Sequence, residues 1–293
     1  MFRFAAAISL VLTPVALQAQ TWRTFEASRP LADSGEHRVR IDYGGGYLDI
    51  HSTDQPVLYT MRMRYDDANA TPVAQYETDS RLATLGLANR STRFRHRDAR
   101  NELNVSLSRV APIVLDVNLG AAETRMDLGG LALREVRVTA GTSASTLDFS
   151  SPNSGPMRQL DIHTGAARLE ALNLANAGAP EIQVMGSAGD VLLDFGGSWS
   201  QDVAVDANIR LGKLEFRVPD DVGVRVEVRR VIGSLKGKDL TKRTDGYYST
   251  NWDTATYKLR IHARTLLGEI TVTRRPPTLQ VVVMPDGRRG SER

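Results

Sequence analysis

The sequence predicts an all-β protein, and more narrowly a parallel β-solenoid of the β-helix or β-roll kind, with about seven or more coils of about 21 residues each and an N-terminal β cap. Three observations predict this fold. An apolar pattern recurs at this period, apolar and polar residues alternate inside each repeat, and a glycine or small residue separates two alternating arms. One repeat alone cannot bury its apolar row, whereas stacked repeats share a continuous core.

The repeats are clearest between Leu115 and Val272. From Leu115 the apolar pattern recurs after successive shifts of 21, 24, 22, 21, 21 and 35 positions. The residues that this series places at equivalent positions are Leu115, Val136, Leu160, Ile182, Val203, Val224 and Leu259. If the repeats stack in chain order, each of these residues lies beside the next one on neighbouring strands. The last shift exceeds 21 by 14 positions, which indicates an insertion between about Asp239 and Asn251.

Each repeat has the same internal order. Val136-Arg137-Val138 is typical of the first arm, since period-2 alternation indicates a half-buried strand. A glycine corner follows, as at Gly141 or Gly212, and then a second alternating arm such as residues 214–218. Segments rich in Pro, Asn, Ser and Gly, such as residues 151–156, return the chain to the next repeat.

The N-terminus predicts an export signal. Arg3 precedes an apolar run over residues 4–15, and small residues lead to Ala19. The run is shorter than the roughly 20 residues of a membrane-spanning helix, so we expect cleavage near Ala19 and a periplasmic, extracellular or surface-associated protein. The predicted organisation is a signal peptide (1–19), an N-terminal linker (20–35), a β cap or first coils (36–110), the repeats (111–275), and a C-terminal strand and tail (276–293).

Composition narrows the function classes. The 293 residues include no cysteine, so core burial alone holds the predicted fold together. The formal net charge of +3 is too small to indicate nucleic-acid binding, and the export signal argues against it independently.

Two groups of segments carry a family resemblance. Residues 38–50, 59–65 and 72–87 resemble the N-terminal region of the exported bacterial toast-rack family, a domain of unknown function. Residues 212–219, 222–224 and 232–235 resemble the C-terminal domain of cell-wall-active antibiotic response proteins. The resemblance implies an envelope location, no established enzymatic activity and no catalytic residues to transfer. The chain lacks the membrane helices of the response proteins, which argues against a membrane-sensor role.

The insertion and its flanks hold the candidate ligand or partner surface. Four of the chain's 18 aromatic side chains fall between Tyr247 and Tyr257, beside a run of basic residues. The residues of this candidate surface are Tyr247, Tyr248, Trp252, Tyr257, Arg229, Arg230, Lys236, Lys238, Lys242 and Arg243. The rings could stack on envelope sugars, or they could form a hairpin that caps the last coil. The cations, with Arg225, could meet lipid phosphates or an anionic glycan, or form a solvated face that discourages sheet aggregation. A second basic cluster at residues 93–100, with Phe94 and His96 interleaved, has the same two interpretations.

Acidic residues also recur along the repeats. Asp127 and Asp148 are one repeat apart, as are Asp194 and Glu215, so stacking would place each pair about 4.8 Å apart. Basic residues near these positions, namely Arg125, Arg168, Lys213 and Arg217, could neutralise them without a metal ion. No calcium-binding loop motif accompanies them. We therefore predict no metal site.

Little in the sequence points to catalysis. The five histidines show no ligand spacing, no Gly-x-Ser-x-Gly motif occurs, and the glycines of residues 43–47 lie between predicted strands rather than before a helix. A carboxylate pair for glycan cleavage remains an alternative, because solenoids host such sites. The leading interpretation is a non-enzymatic envelope protein, without cofactor, that presents a solenoid surface to an envelope protein, in stress response or adhesion. Binding of an anionic envelope polysaccharide is the alternative.

Overall fold

The computed structural model describes residues 22–89 and 101–276, and it describes only the backbone of Asn89, Arg230 and Val231. The predicted signal peptide, the cluster at residues 93–100 and the predicted C-terminal tail after residue 276 lie outside the described residues. The described residues form sixteen strands, one 3₁₀ turn (Leu174–Ala177) and no α-helix. The strands are β1 (Trp22–Pro30), β2 (His37–Thr53), β3 (Val57–Asp66), β4 (Ala70–Glu77), β5 (Leu82–Asn89), β6 (Glu102–Ser108), β7 (Pro112–Asp127), β8 (Ala132–Ala140), β9 (Ala144–Asp148), β10 (Gln159–Leu172), β11 (Glu181–Asp194), β12 (Val203–Pro219), β13 (Gly223–Gly237), β14 (Leu240–Arg243), β15 (Gly246–Ser249) and β16 (Lys258–Arg275).

The predicted all-β class is confirmed, since the strands form one large, mostly parallel sheet. Its order is β1-β3-β6-β2-β7-β8-β10-β11-β12-β16-β13-β15-β14. Strands β8 and β9 together occupy one place, because both pair with β7 and β10. Antiparallel pairs occur at the N-terminal end, where β3 pairs with β1 and β6, and in the small β14–β15 hairpin. The N-terminal linker expected over residues 20–35 includes β1.

The core is an apolar row that runs across the sheet. Alternation along each strand turns every second side chain inward, and parallel in-register pairing then aligns the inward side chains of successive strands. One such row, traced from partner to partner, consists of Ile41, Val117, Val138, Ile162, Val184, Ala207, Ala263 and Val228. All but Val228 are buried, so the free energy of burial is shared along the sheet rather than held in one compact centre.

The predicted register is correct in the first part of the repeat region. Leu115 lies opposite Val136, Val136 opposite Leu160, and Leu160 opposite Ile182, as the first three repeat shifts predict. The next shift was predicted wrongly, because Ile182 lies opposite Val205 and not Val203. The error is one full strand period, which keeps the same side chains inward, so alternation alone cannot distinguish the two registers.

The order of the last strands also differs from the chain order. Val203 and Val224, predicted to be neighbours, both lie opposite Leu259, on the two sides of β16. Strand β16 therefore lies between β12 and β13, although it follows both in the chain. The long shift from Val224 to Leu259 is confirmed. Val203 and Val224 therefore occupy equivalent positions in their repeats, but their strands, β12 and β13, are not neighbours.

Glycines at the corner between the arms allow the strands to stack closely. A Cβ atom on Gly120 would lie 2.3 Å from the carbonyl oxygen of Gly44 on the neighbouring strand, well inside van der Waals contact. The corner therefore has to be free of side chains on that face, which explains the glycine that the sequence places between the arms.

Candidate functional site

The terminal strand of the parallel region is only partly covered. Strand β13 pairs with β16 from Gly223 to Gly237, but on its other side it pairs with β15 only at Arg225 and Val226. Within the part of the chain that the structure describes, residues 227–237 thus have no strand on that side. Side-chain exposure agrees, because Val228 and Leu235 are only partly buried against the core.

The hydrogen bonds at the start of β13 show which backbone groups face this free edge. The Gly223 N–H donates to the Tyr257 carbonyl oxygen on the β16 side, whereas the Val224 N–H donates to Ser249 Oγ on the β15 side. In a parallel strand, alternate residues direct both backbone groups to the same neighbour. The N–H and C=O of Val228 therefore point to the uncovered side, where an added strand would bind them.

The β14–β15 hairpin covers the beginning of β13 with one ring on each face. Tyr247 lies opposite Val226 and packs against the core, whereas Tyr248 lies opposite Arg225 on the outer face. Tyr248 is nevertheless only 7% exposed. The Trp252 ring meets it edge-on at a centroid distance of 5.3 Å, and the Arg243 guanidinium lies 4.5 Å from its centroid.

Charged groups hold the outer ring in place. The Tyr248 hydroxyl donates to both Asp245 carboxylate oxygens, at 2.9 and 3.0 Å. Arg225 Nη2 donates to the same carboxylate at 2.9 Å. Arg243 donates to Asp253 at 2.9 Å, and this hydrogen bond holds the pKa of the Asp253 carboxyl below its usual value. The outer face here is thus a closed network of rings, guanidinium groups and carboxylates.

The predicted surface residues do not all lie together. Tyr257 stacks on Trp199 at a centroid distance of 6.3 Å and is separate from the Tyr248–Trp252 pair. Lys236 donates to Glu269 at 2.7 Å, and three other predicted cations, Arg229, Lys238 and Lys242, are exposed. The predicted Arg230 is described only by its backbone, within β13.

Sequence reasoning missed the partners that come from distant strands. Trp199, which stacks on Tyr257, precedes β12, and Arg260 of β16 lies 6.0 Å from the Trp252 centroid. No local pattern links these residues. Trp199 and Arg260 reach this end of the sheet because β16 lies between β12 and β13.

Of the two pairs of acidic residues predicted to be neighbours on adjacent strands, one is correct. Asp127 and Asp148 are register partners, as predicted. The expected neighbours Asp194 and Glu215 are not, because the register between β11 and β12 puts Asp194 opposite Arg217. Glu215 accepts hydrogen bonds from Lys213 at 3.0 Å and Arg217 at 2.9 Å, which is the neutralisation by basic neighbours that the sequence indicates. Among the described residues no group of three or more His, Cys, Asp or Glu side chains could hold a metal ion.

One large, mostly parallel sheet with repeated arms and a half-covered terminal strand defines an all-β repeat protein. The chain belongs to the toast-rack family: the family description "N-terminal domain of toast_rack, DUF2154" matches residues 18–170. This match confirms the resemblance drawn from residues 38–87.

Several solved structures align with most of this chain at low sequence identity. A candidate cell adhesion protein from Clostridium sporogenes is 14% identical, with a TM-score of 0.46 over 87% of this chain and 100% of that one. A candidate adhesin from Bacteroides fragilis is 11% identical, with a TM-score of 0.44 over 87% and 98%. One from Parabacteroides distasonis is 13% identical, with a TM-score of 0.40 over 87% and 98%. No curated protein matches the chain. Among the described residues, no helix has the length and apolar character needed to cross a membrane.

Proposed function

We propose that this protein is a non-enzymatic protein of the cell envelope that binds a protein partner along the free edge of β13. The observation that carries the proposal is that, among the described residues, no strand pairs with residues 227–237 on the side away from β16, where backbone donors and acceptors face outward. Such an edge accepts an extended segment of another chain as an added strand, a common mode of peptide recognition.

The architecture that we propose is a β-solenoid whose coils stack along the sheet. The support for it is the parallel in-register pairing of β2, β7, β10, β11, β12 and β16, with corner glycines at matching positions. A solenoid whose end coil is uncovered exposes both its core and its backbone, so such ends are usually capped. Among the described residues, the N-terminal end has several additional strands, whereas the C-terminal end has the β14–β15 hairpin over its first arm.

The charges near the free edge favour an acidic partner segment. Arg229, Lys238 and Lys242 are exposed, while Lys236 is paired with Glu269. Opposite charge at the rim of an interface speeds association and selects partners, even where it adds little affinity. We therefore expect an extended segment with acidic side chains on its outer face.

The aromatic cluster supports a capping role better than a sugar-binding one. A ring that stacks on a sugar needs an open face, yet Tyr247 packs against the core and Tyr248 lies beneath Arg243 and Trp252. We propose that these rings hold the hairpin on β13 and so set where the free edge begins.

Site-specific photocrosslinking in the native envelope tests the proposal. A photoreactive amino acid at Ser234, an exposed position on the second arm of β13, should yield one discrete crosslinked protein species. The same amino acid at Asp190, which is exposed in the middle of the sheet on β11, is the matched control and should give no such species.

Charge reversal adds an independent measurement. Arg229→Glu with Lys238→Glu should reduce the yield of the Ser234 crosslink while leaving the thermal unfolding midpoint unchanged, since both side chains are exposed. Equal crosslinking at Ser234 and Asp190, or none at Ser234, would exclude the free edge as the partner site.

A further inference from the structure

A second exposed surface lies at the corner between the two arms, on the last three parallel strands. Leu211 of β12 lies opposite Leu267 of β16, and Leu267 lies opposite Ile232 of β13. These side chains are 44%, 50% and 62% exposed, and the adjacent Leu266 is 47% exposed. We call these four residues the apolar corner. Exposed apolar side chains that are contiguous on a protein surface often mark an interaction site.

Among the described strands, the register position of Leu211 carries a large apolar residue only on the last three parallel strands. The equivalent corner positions on earlier strands, found by following the register pairs, are small: Gly45 opposite Ala121, and Ala166 opposite Ala188. Ala188 is in turn opposite Leu211, where the large residues begin. All these corners have to make the same turn, so the geometry of the turn does not require leucine or isoleucine. The change of residue type therefore points to a role for this corner outside the fold itself.

Strand β12 bends at the corner, and its side chains there lie on the outside of the bend. Along β12 the four consecutive residues Arg210, Leu211, Gly212 and Lys213 are all exposed, whereas a flat strand would turn every second one inward. An apolar ridge on the outside of a bend is poorly placed to enclose a small ligand or a peptide side chain. It suits a deformable surface into which the side chains can insert.

Cations border the ridge on the first-arm side. Arg210 is exposed next to Leu211, and Arg229 is exposed on β13. A third arginine, Arg264 of β16, is paired with Asp206 at 3.0 Å, and on the second-arm side Lys213 and Lys236 pair with Glu215 and Glu269. Among the described residues, the charge without an ion-pair partner on the first-arm side of the ridge is thus positive. A second copy would bring the same excess of positive charge to the contact, which disfavours self-association through the ridge.

We propose that the apolar corner inserts into the interfacial region of an anionic lipid bilayer, with Arg210 and Arg229 on the lipid phosphates. Apolar side chains and neighbouring cations together are the combination by which peripheral proteins bind membranes reversibly. The contact would hold this end of the sheet at a membrane surface and leave the free edge of β13 beside it. Arg229 and Ile232 lie on β13 and so border both surfaces. The inserting side chains are nevertheless different from the backbone groups of the partner edge, so the contact needs no partner on that edge.

Vesicle sedimentation tests the proposal with the purified protein. The protein should sediment with phosphatidylcholine vesicles that contain phosphatidylglycerol, and much less with phosphatidylcholine alone. Leu211→Ser with Leu267→Ser should weaken binding to the anionic vesicles by about tenfold or more, because membrane affinity scales with the apolar area inserted. Val110→Ser is the matched control: Val110 is 67% exposed and lies outside the corner, so this variant should bind like the wild type.

Charge and salt separate the two parts of the contact. Arg210→Glu should reduce binding to the anionic vesicles, and added salt should weaken wild-type binding by screening. The proposal is overturned if the wild-type protein stays in the supernatant with anionic vesicles, or if the double serine variant binds as well as the wild type. It is also overturned if size-exclusion chromatography shows a dimer that the double serine variant abolishes while vesicle binding persists. If the wild-type protein does not bind anionic vesicles but still gives the Ser234 crosslink, the membrane proposal fails and the partner proposal stands. The two proposals can therefore fail separately.

Discussion

Gly268 of β16 lies directly opposite Gly212 of β12, and a Cβ atom on Gly268 would lie 1.9 Å from the Gly212 carbonyl oxygen. That oxygen belongs to the backbone of the neighbouring strand and cannot move without disturbing the pairing. The contact explains why the corner glycines recur and why they follow the register of the sheet.

Gly268→Ala is therefore expected to destabilise the protein by about 3 kcal/mol, at the upper end of overpacking costs. Gly178→Ala is the matched control, because Gly178 has a φ of 64° but no atom within 4 Å of an added Cβ. It should cost only about 1 kcal/mol, from backbone strain. Urea unfolding followed by circular dichroism measures both. Equal losses for the two variants would contradict the steric explanation.

The position of β16 can be tested by engineered disulfides, since the chain has no cysteine of its own. Asp206 and His262 are register partners, so Asp206→Cys with His262→Cys should form a disulfide on mild oxidation. Asp206 and Glu227 occupy equivalent positions in successive repeats but lie on opposite sides of β16. Their separation of about 9.6 Å, two strand spacings, is too large for Asp206→Cys with Glu227→Cys to do the same.

Electrophoresis without reductant measures disulfide formation as a shift in mobility. Reduction should return the protein to the position of the unmodified band. A disulfide in the 206–227 pair with none in the 206–262 pair would place β13 beside β12, as stacking in chain order predicts.

Trp252→Ala is expected to loosen the hairpin on β13 without changing polysaccharide binding. The variant removes the ring that contacts Tyr248 edge-on, and an aromatic pair contributes about 0.5–1.5 kcal/mol beyond its buried area. Thermal unfolding and calorimetric titration with envelope polysaccharide measure the two effects. Tyr257→Ala, which removes a ring stacked on Trp199 instead, is the control. Loss of polysaccharide binding in a stable Trp252→Ala protein would favour the glycan-binding alternative.

Glu215 should make stability depend on pH in the acidic range. Burial alone raises the pKa of its carboxyl, but hydrogen bonds from Lys213 and Arg217 more than offset this and hold it below the ordinary 4.5. The folded protein therefore binds this proton less tightly than the unfolded chain does. The carboxylate stabilises the fold at pH values above about 4.5, and this stabilisation is lost as the pH falls through the lowered pKa.

Thermal unfolding of Glu215→Gln across this range measures the effect. The variant should be less stable than the wild type at neutral pH, and the difference should shrink as the pH falls below about 4.5. Glu170→Gln, at an exposed position on β10, controls for loss of a surface carboxylate. A difference that stays constant with pH would contradict the hydrogen-bonded role of Glu215.

We predict that the protein is exported and that its signal peptide is cleaved near Ala19. N-terminal sequencing of the protein recovered from outside the cytoplasm should begin at about Gln20. Replacing Ala19 by a bulky residue should leave a longer, uncleaved form. A protein that is found uncleaved in the cytoplasm would remove the basis for the envelope assignment.

The candidate surface was only partly predictable. The insertion between about Asp239 and Asn251 stands out because it breaks the repeat, and it does form the hairpin that bears Tyr247 and Tyr248. The apolar corner formed by Leu211, Leu266, Leu267 and Ile232 comes from strands far apart in the chain. The same holds for Trp199 beside Tyr257 and for Arg260 beside Trp252. The exposure of the corner residues was not visible in the sequence, because an apolar residue beside a glycine looks the same whether it faces the core or the outside of a bend.

By itself the sequence determined the all-β class, the alternation that directs Val224 and Val226 inward, the corner glycines and the family. These properties depend on residue type and local spacing, which the chain carries directly. Only the tertiary structure decided that Ile182 lies opposite Val205, and that Leu259 separates Val203 from Val224. A slip by one strand period keeps every side chain on its own face, and exchanging two neighbouring strands keeps every apolar row continuous. Local pattern is unchanged by either rearrangement, so only the long-range contacts of the whole sheet can choose between them.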